Sequence, residues 1–262
     1  MTDPTVVARE VSYRVRGASL VSAVDFRASP GELVVIIGPN GAGKSTLLGL
    51  LSGNLSPSEG EVTLNGADVS SAAPADLALE RAILTQREAM DIPFTARQVV
   101  EMGRFPHRRD PDNAAEVDQS VVTEAMTLTD TRQFADRVFA TLSKGEQTRV
   151  SLARVLAQAA PVLFLDEPTT ALDVGHAERI MEQAVSQARA GRTVVVVLHD
   201  LNAAAVHGDR IVLMSGGVVV ADGSSHDVLR AELLSDIYGQ PMTVVDHPFR
   251  ECPLVLSGQS RA

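Results

Sequence analysis

Apolar and polar positions alternate with a period of two over residues 6–15 and again over 20–28, the pattern of strands with one buried face. Gly17 between them predicts a hairpin. After the turn pair Pro30-Gly31, Leu33–Ile37 is apolar at every position. A strand without a polar face belongs in a parallel sheet covered on both sides. An apolar helix over 46–51 comes next, then a strand over 60–65 ending in Asn65-Gly66, a short helix over 74–81 and a short strand over 82–84. From about 95 to 157 the spacing is helical, interrupted near 106–113. Continuous apolar strands recur at 162–165 and 194–198, with a helix over about 176–190 between them. A hairpin over 211–214 and 218–221 turns at Ser215-Gly216-Gly217, and a helix over 226–238 leads into a short tail.

Strand and helix in alternation, with strands apolar throughout, specify an α/β layered fold. The alternating N-terminal strands and the helical block read as additions to that core: an antiparallel β subdomain and an inserted helical subdomain at about 90–157. The expectation is one domain over 4–240 and a tail over 241–262. Composition narrows the function. A net charge of −10 and 3% aromatic residues, with no Trp, argue against a nucleic-acid surface. Cys252 is the only cysteine, so an internal disulfide is excluded and a reducing compartment is expected. No apolar run approaches the ~18 residues of a membrane span. Any membrane role is therefore expected to run through a partner.

The chemistry concentrates in four places. Gly38 to Ser45 reads G-x-x-x-x-G-K-S between a predicted strand and a predicted helix. Gly38, Asn40, Gly41, Ala42 and Gly43 bring backbone N–H groups close around phosphate. Lys44 reaches the β- and γ-phosphates, the Ser45 hydroxyl suits Mg²⁺, and the Thr46 hydroxyl suits the α-phosphate region. A bare glycine turn with a surface lysine is the alternative, and the strand–loop–helix context argues against it. Second, the strand at 162–165 runs into Asp166 and Glu167, carboxylates placed to hold Mg²⁺ and to polarise a water. Third, His199 follows the strand at 194–198, where it suits a γ-phosphate contact. Fourth, Leu142-Ser143-Lys144-Gly145-Glu146-Gln147 stands ahead of a helix.

That last hexapeptide resembles the LSGGQ signature of ABC ATPases. The other family elements appear in order along nearly the whole chain. Tyr13 resembles the aromatic that stacks on adenine, Gln86 the Q-loop residue linking Mg²⁺ to a permease, Ala171-Leu172-Asp173 the D-loop, and His199 the switch histidine. The resemblance implies a P-loop NTPase core that binds ATP and Mg²⁺, the metal being held by Ser45, Gln86 and Asp166. It implies Glu167 as general base and His199 on the γ-phosphate. It also implies a homodimer in which Ser143, Gly145 and Asp173 complete the partner's nucleotide site. The subunit would sit at the cytoplasmic face of a membrane beneath an integral-membrane permease dimer, served indirectly by a substrate-binding protein, with no nucleic-acid partner. One position departs from the pattern: the third signature residue is normally Gly and is Lys144 here, which bears on loop conformation and rate.

Two segments resemble a subgroup. Residues 91–107, with Gly103-Arg104-Phe105-Pro106-His107, are similar to a stretch in iron-chelate importers. His247-Pro248 and Cys252-Pro253-Leu254 are similar to haem-import ATPases. Import of ferric siderophores or vitamin B12, and a soluble ABC ATPase of iron–sulfur cluster assembly, are the alternatives. Cys252-Pro253 also permits a haem-sensing thiolate, against a simple tail turn. Arg104, His107, Arg108 and Arg109 permit a permease-docking patch, against a solvated loop.

Overall fold

The computed structural model describes residues 3–85, 93–109, 115–170 and 172–258. The chain forms two compact units, Met1–Ser71 with Val185–Ala262, and Ala72–Ala184. The division differs from the expected insertion at 90–157, because the strand carrying Asp166 belongs to the second unit.

In the first unit, β1 (Val6–Val15) and β2 (Ala18–Ala28) form the predicted hairpin, and β4 (Glu59–Leu64) and β5 (Ala67–Asp68) extend it in the order β2-β1-β4-β5. The period-two pattern is realised by Val6 and Ala8 and by Val24, Phe26 and Ala28, all buried. The unit's second layer holds β3 (Leu33–Ile37), β8 (Thr193–Val197), β9 (Arg210–Ser215) and β10 (Val218–Gly223). β3 pairs in parallel with both β8 and β9, and β10 returns antiparallel to β9. Every residue of β3 and β8 is buried, as their apolar runs Leu33–Ile37 and Val194–Val197 require. Between β3 and β4 lies α1 (Lys44–Leu51), which begins two residues before the predicted start. Its N-cap is Gly43 at φ 95°, a conformation that side-chain-bearing residues resist.

The C-terminal part departs most from expectation. The predicted helix over 226–238 is two helices, α8 (Ser225–Val228) and α9 (Ala231–Tyr238), each with its own N-cap. Ser224 and Asp227 form a capping box on α8. Within the expected tail over 241–262, β11 (Met242–Asp246) and β12 (Pro253–Ser257) pair antiparallel over five residue pairs.

In the second unit, α2 (Pro74–Glu80) leads into β6 (Arg81–Leu84), which pairs in parallel with β7 (Val162–Asp166). The helical block is more broken than its periodicity implies. α3 (Ala96–Glu101) passes into a 3₁₀ helix over Met102–Arg109 that contains Pro106. α4 (Ala115–Leu128), two short 3₁₀ turns and α5 (Lys144–Ala157) follow. Gly103 permits this packing, since a Cβ there would run into the Arg154 carbonyl of α5. α6 (Val174–Arg189) carries the chain on toward β8.

Candidate functional site

The phosphate loop springs from the C-terminal end of β3. Gly38 has φ 147°, and a Cβ on it would overlap the Met214 carbonyl of β9. Gly41 (φ 80°) and Gly43 (φ 95°) occupy the left-handed region, so the loop follows a path open only to glycine at these points. The β9–β10 turn braces it: Gly217 N–H donates to the Ala42 carbonyl at 3.1 Å, and Ser22 N–H donates to the Gly217 carbonyl at 2.9 Å. Asn40 and Ser45 are exposed, Thr46 half-buried. Lys44 is 5% exposed, and its Nζ donates to the carbonyls of Gly38 (2.7 Å) and Pro39 (3.0 Å), spanning the loop. No side chain caps α1 and no acid sits in its first turn. Its N-terminal amides and partial positive charge therefore face an anion without competition from the helix's own side chains.

The same unit carries Tyr13 and His199. Tyr13 is half-buried on β1 opposite Val21, where the hairpin register shifts on both sides. His199 is exposed at the end of β8. Behind it Asp200 caps α7 (Leu201–His207), accepting from the N–H groups of Asn202 (2.8 Å) and Ala203 (3.1 Å).

The second unit assembles the signature. Ser143 is the N-cap of α5 in a capping box: its hydroxyl accepts from Glu146 N–H (3.3 Å), and Glu146 accepts from Ser143 N–H (2.7 Å). The backbone bond to Ser143 chiefly holds the Glu146 carboxyl below the usual range. Lys144 is the first residue of the helix itself and is not among the positive-φ residues. The departure from glycine therefore costs the loop no conformational strain. Ser143, Lys144, Gly145, Arg149, Asp173 and His176 border one concavity of about 310 Å³. Asp173 accepts from His176 twice, from its N–H (2.9 Å) and from its Nδ1 (2.7 Å), and the first of these bonds chiefly depresses the Asp173 carboxyl. His176 is a residue that sequence reasoning missed, although its i+3 spacing from Asp173 is the signal that finds it.

At the end of β7, Asp166 and Glu167 are both half-buried. Glu167 has φ 50°, a left-handed conformation costly for a side-chain-bearing residue. Thr170 also escaped the sequence reading; its hydroxyl donates to Glu167 Oε2 at 3.2 Å, and its N–H donates to the Glu167 carbonyl at 3.2 Å. The same left-handed conformation recurs at Glu10, Arg16, Ala23, Asn65, Asp130 and Ala159, so at Glu167 it is the Thr170 hydroxyl on the carboxylate that distinguishes the position. Gln86 and Ala171 lie outside the described residues.

The basic stretch after residue 103 divides. Arg104 is 5% exposed; its Nε donates to Asp118 (2.8 Å) and its Nη1 to the Ala157 carbonyl (2.9 Å). His107 Nε2 lies 2.7 Å from the Gln158 carbonyl. Both therefore secure the 3₁₀ helix to the C-terminal end of α5. Arg108 lies over the exposed Phe105 ring at 4.6 Å, and the side chain of Arg109 falls outside the described residues. Cys252 is buried within the C-terminal hairpin, which makes it a packing residue and not an accessible thiolate.

The ABC transporter family model matches residues 21–170. A hemin import ATP-binding protein of Nocardia farcinica (strain IFM 10152) is 46% identical over 266 residues, covering 97% of this chain and 92% of its own. Its counterpart in Rhodococcus jostii (strain RHA1) is 48% identical over 252 residues, covering 96% and 86%. A dimeric ATP-binding cassette solved with ADP and Pi is 30% identical with a TM-score of 0.75, covering 84% of this chain and 98% of its own. A metal-chelate type ABC transporter in an inward-facing conformation is 21% identical with a TM-score of 0.83, covering 98% of each chain, a likeness of fold.

Proposed function

This chain belongs to the ABC transporter family as an ATP-binding, ATP-hydrolysing subunit of α/β fold, and we propose that the import it energises is that of haem. The observation that carries the cargo is the 46% identity to a hemin import ATP-binding protein across 97% of the chain. A resemblance over that length includes the helical block and the C-terminal hairpin as well as the phosphate loop.

The subunit works as part of a membrane-associated transporter complex, and among the described residues no helix is long and apolar enough to cross a membrane. The finer reading is a homodimer on the cytoplasmic face beneath a permease dimer fed by a substrate-binding protein. In that dimer the loop Gly38–Thr46 of one protomer and Ser143, Gly145 and Asp173 of its partner enclose each ATP. The two halves carry suitable chemistry: a glycine cradle with a buried lysine, and a concavity at the capped N-terminus of α5 bordered by the Ser143 hydroxyl, Lys144 and Arg149.

Mg²⁺ fits the donors present. Among the described residues there is no group of three or more His, Cys, Asp or Glu to cage a metal. In this reading Mg²⁺ would be held by the Ser45 hydroxyl, the Asp166 carboxylate and Gln86, oxygen donors of the kind it prefers. Bound there, the ion would neutralise charge on the β- and γ-phosphates. The chain's own residues do the rest. Tyr13 packs on adenine, Lys44 and the loop amides hold the phosphates, Glu167 orients and deprotonates the attacking water, and His199 contacts the γ-phosphate.

Growth separates the cargoes. A strain lacking this protein should fail on haem as sole iron source and grow normally on ferric siderophores, and a Lys44→Ala copy should not rescue it. Failure on siderophores with normal growth on haem would overturn the cargo and leave the ATPase standing.

A further inference from the structure

The concavity at the signature has a carboxylate on its border that one side chain holds in place. Asp173 begins α6 as its N-cap: its carbonyl accepts from Ala177 N–H (2.9 Å), and its Oδ1 accepts from His176 N–H (2.9 Å). Both donors are backbone groups and would be present with any residue other than proline at 176. The third bond comes from a side chain. His176 Nδ1 lies 2.7 Å from Asp173 Oδ2, and the two residues border the concavity together with Ser143, Lys144 and Arg149. The bonds from residue 176, the backbone one foremost, hold the Asp173 carboxyl below its usual range, so near neutral pH it is ionised and can only accept. Nδ1 must then carry a ring proton and donate it. One residue thus engages both oxygens of a carboxylate whose side chain is 69% exposed.

That exposure bears on what the ring bond is for. The helix cap is complete with Oδ1 alone. A further donor on an oxygen open to water adds little stability, because water would solvate that oxygen instead. What the ring does settle is where Oδ2 points. Two cations border the same concavity. Arg149 is committed elsewhere, its Nη1 donating to the Asp130 carbonyl (2.8 Å) and to Asp130 Oδ2 (3.0 Å). Among the described residues no ion pair joins Asp173 to Arg149 or to Lys144. Without the ring, Oδ2 is free to turn toward the Lys144 ammonium, an attraction within one protomer that would draw the carboxylate from its place. We propose that His176 is a positioning residue of the ATPase: its ring fixes the Asp173 carboxylate at the border of the signature concavity, and with it the turn that one protomer presents to its partner's nucleotide. The proposal rests on the reading above in which Asp173 completes the partner's site.

His176→Ala keeps both backbone bonds of the cap, so its melting temperature should stay within roughly 4 °C of wild type. ATP affinity, set by the loop Gly38–Thr46, should stay within about twofold, while kcat falls about tenfold. His176→Asn puts an amide N–H near the position of Nδ1 and should recover about half of the wild-type kcat or more. Steady-state phosphate release, calorimetric ATP titration and thermal melts on the purified chain measure all of these. Wild-type kcat in His176→Ala would overturn the proposal, as would a loss of kcat that tracks a fall in melting temperature, or an Asn variant no better than the Ala one. Asp173→Ser tests the underlying reading separately, because a serine hydroxyl can cap α6 but offers no carboxylate to the ring. Normal turnover in that variant would remove Asp173 from the nucleotide site, whereas lost turnover there beside a normal His176→Ala defeats only the role of the ring.

Discussion

Glu167→Gln is the sharpest test of the chemistry. Glutamine is isosteric with glutamate and keeps an oxygen to accept from the Thr170 hydroxyl, now 3.2 Å from Oε2. What it lacks is the capacity to take the proton of the attacking water. Removal of a general base is worth about a hundred- to ten-thousandfold in rate. The variant should therefore lose ~2.7–5.5 kcal/mol of transition-state stabilisation while ATP binding persists. The backbone supplies a control. Glu167 sits at φ 50°, and left-handed backbone costs a side-chain-bearing residue roughly 1–2 kcal/mol. Glu167→Gly relieves that cost, adds roughly 0.5–1 kcal/mol of chain entropy in the unfolded state, and forfeits a half-exposed hydrogen bond of about 1 kcal/mol. The three contributions nearly cancel, so its melting temperature should stay within roughly 4 °C of wild type. A glycine variant that melts normally and does not turn over would locate the defect in the side chain, not in the fold. Steady-state phosphate release and calorimetric ATP titration decide it, with size exclusion in ATP to detect a trapped dimer. Glu167→Gln hydrolysing ATP at near wild-type rate would rule Glu167 out as the base.

Tyr13→Ala should weaken ATP binding by about 1–3 kcal/mol, the scale of base–aromatic stacking, and Tyr13→Phe should weaken it little; calorimetry that finds both equal to wild type would leave Tyr13 a strand residue only. Lys144→Gly should change ATPase activity by less than about tenfold, since Lys144 is a helical first-turn residue and Ser143 and Gly145 are untouched; abolished turnover would make Lys144 catalytic. Alkaline stability should report the Tyr238 environment. The folded protein holds that proton up to about pH 12, whereas the unfolded chain releases it near 10, so over this window the unfolded state binds fewer protons and stability falls as pH rises. Denaturant melts across the window should therefore fall less steeply for Tyr238→Phe, and parallel curves would contradict the assignment.

The elements legible in sequence were those governed by local rules. The apolar runs that became β3, β7 and β8, the glycine loop and the hairpin at Gly17 each announce themselves within about ten residues. The signature hexapeptide was legible as chemistry, but its capping geometry was not. Ser143 followed by Glu146 is a capping box in plain sight, and it explains why Lys144 fits a position where glycine is usual. The C-terminal hairpin was hidden because its strands are five residues long, the loop between them holds Pro248, and Pro253 opens β12 at a position where proline is tolerated. The helical block was over-read because periodicity does not register a 3₁₀ segment built around Gly103 and Pro106.

The capping box has a bearing on which residues position 143 tolerates. A hydroxyl carries one proton to give and two lone pairs. Ser143 uses a lone pair on the Glu146 N–H, which leaves its proton for an anion in the concavity beside it. Aspartate caps a helix as well as serine does. At this position, however, it would supply the cap and present a negative charge where a phosphate should arrive. Selection of variants for thermal stability would therefore accept aspartate at 143, and selection for turnover would discard it. At a helix cap to which no ligand is assigned, such as Ser224, the two selections should accept the same residues.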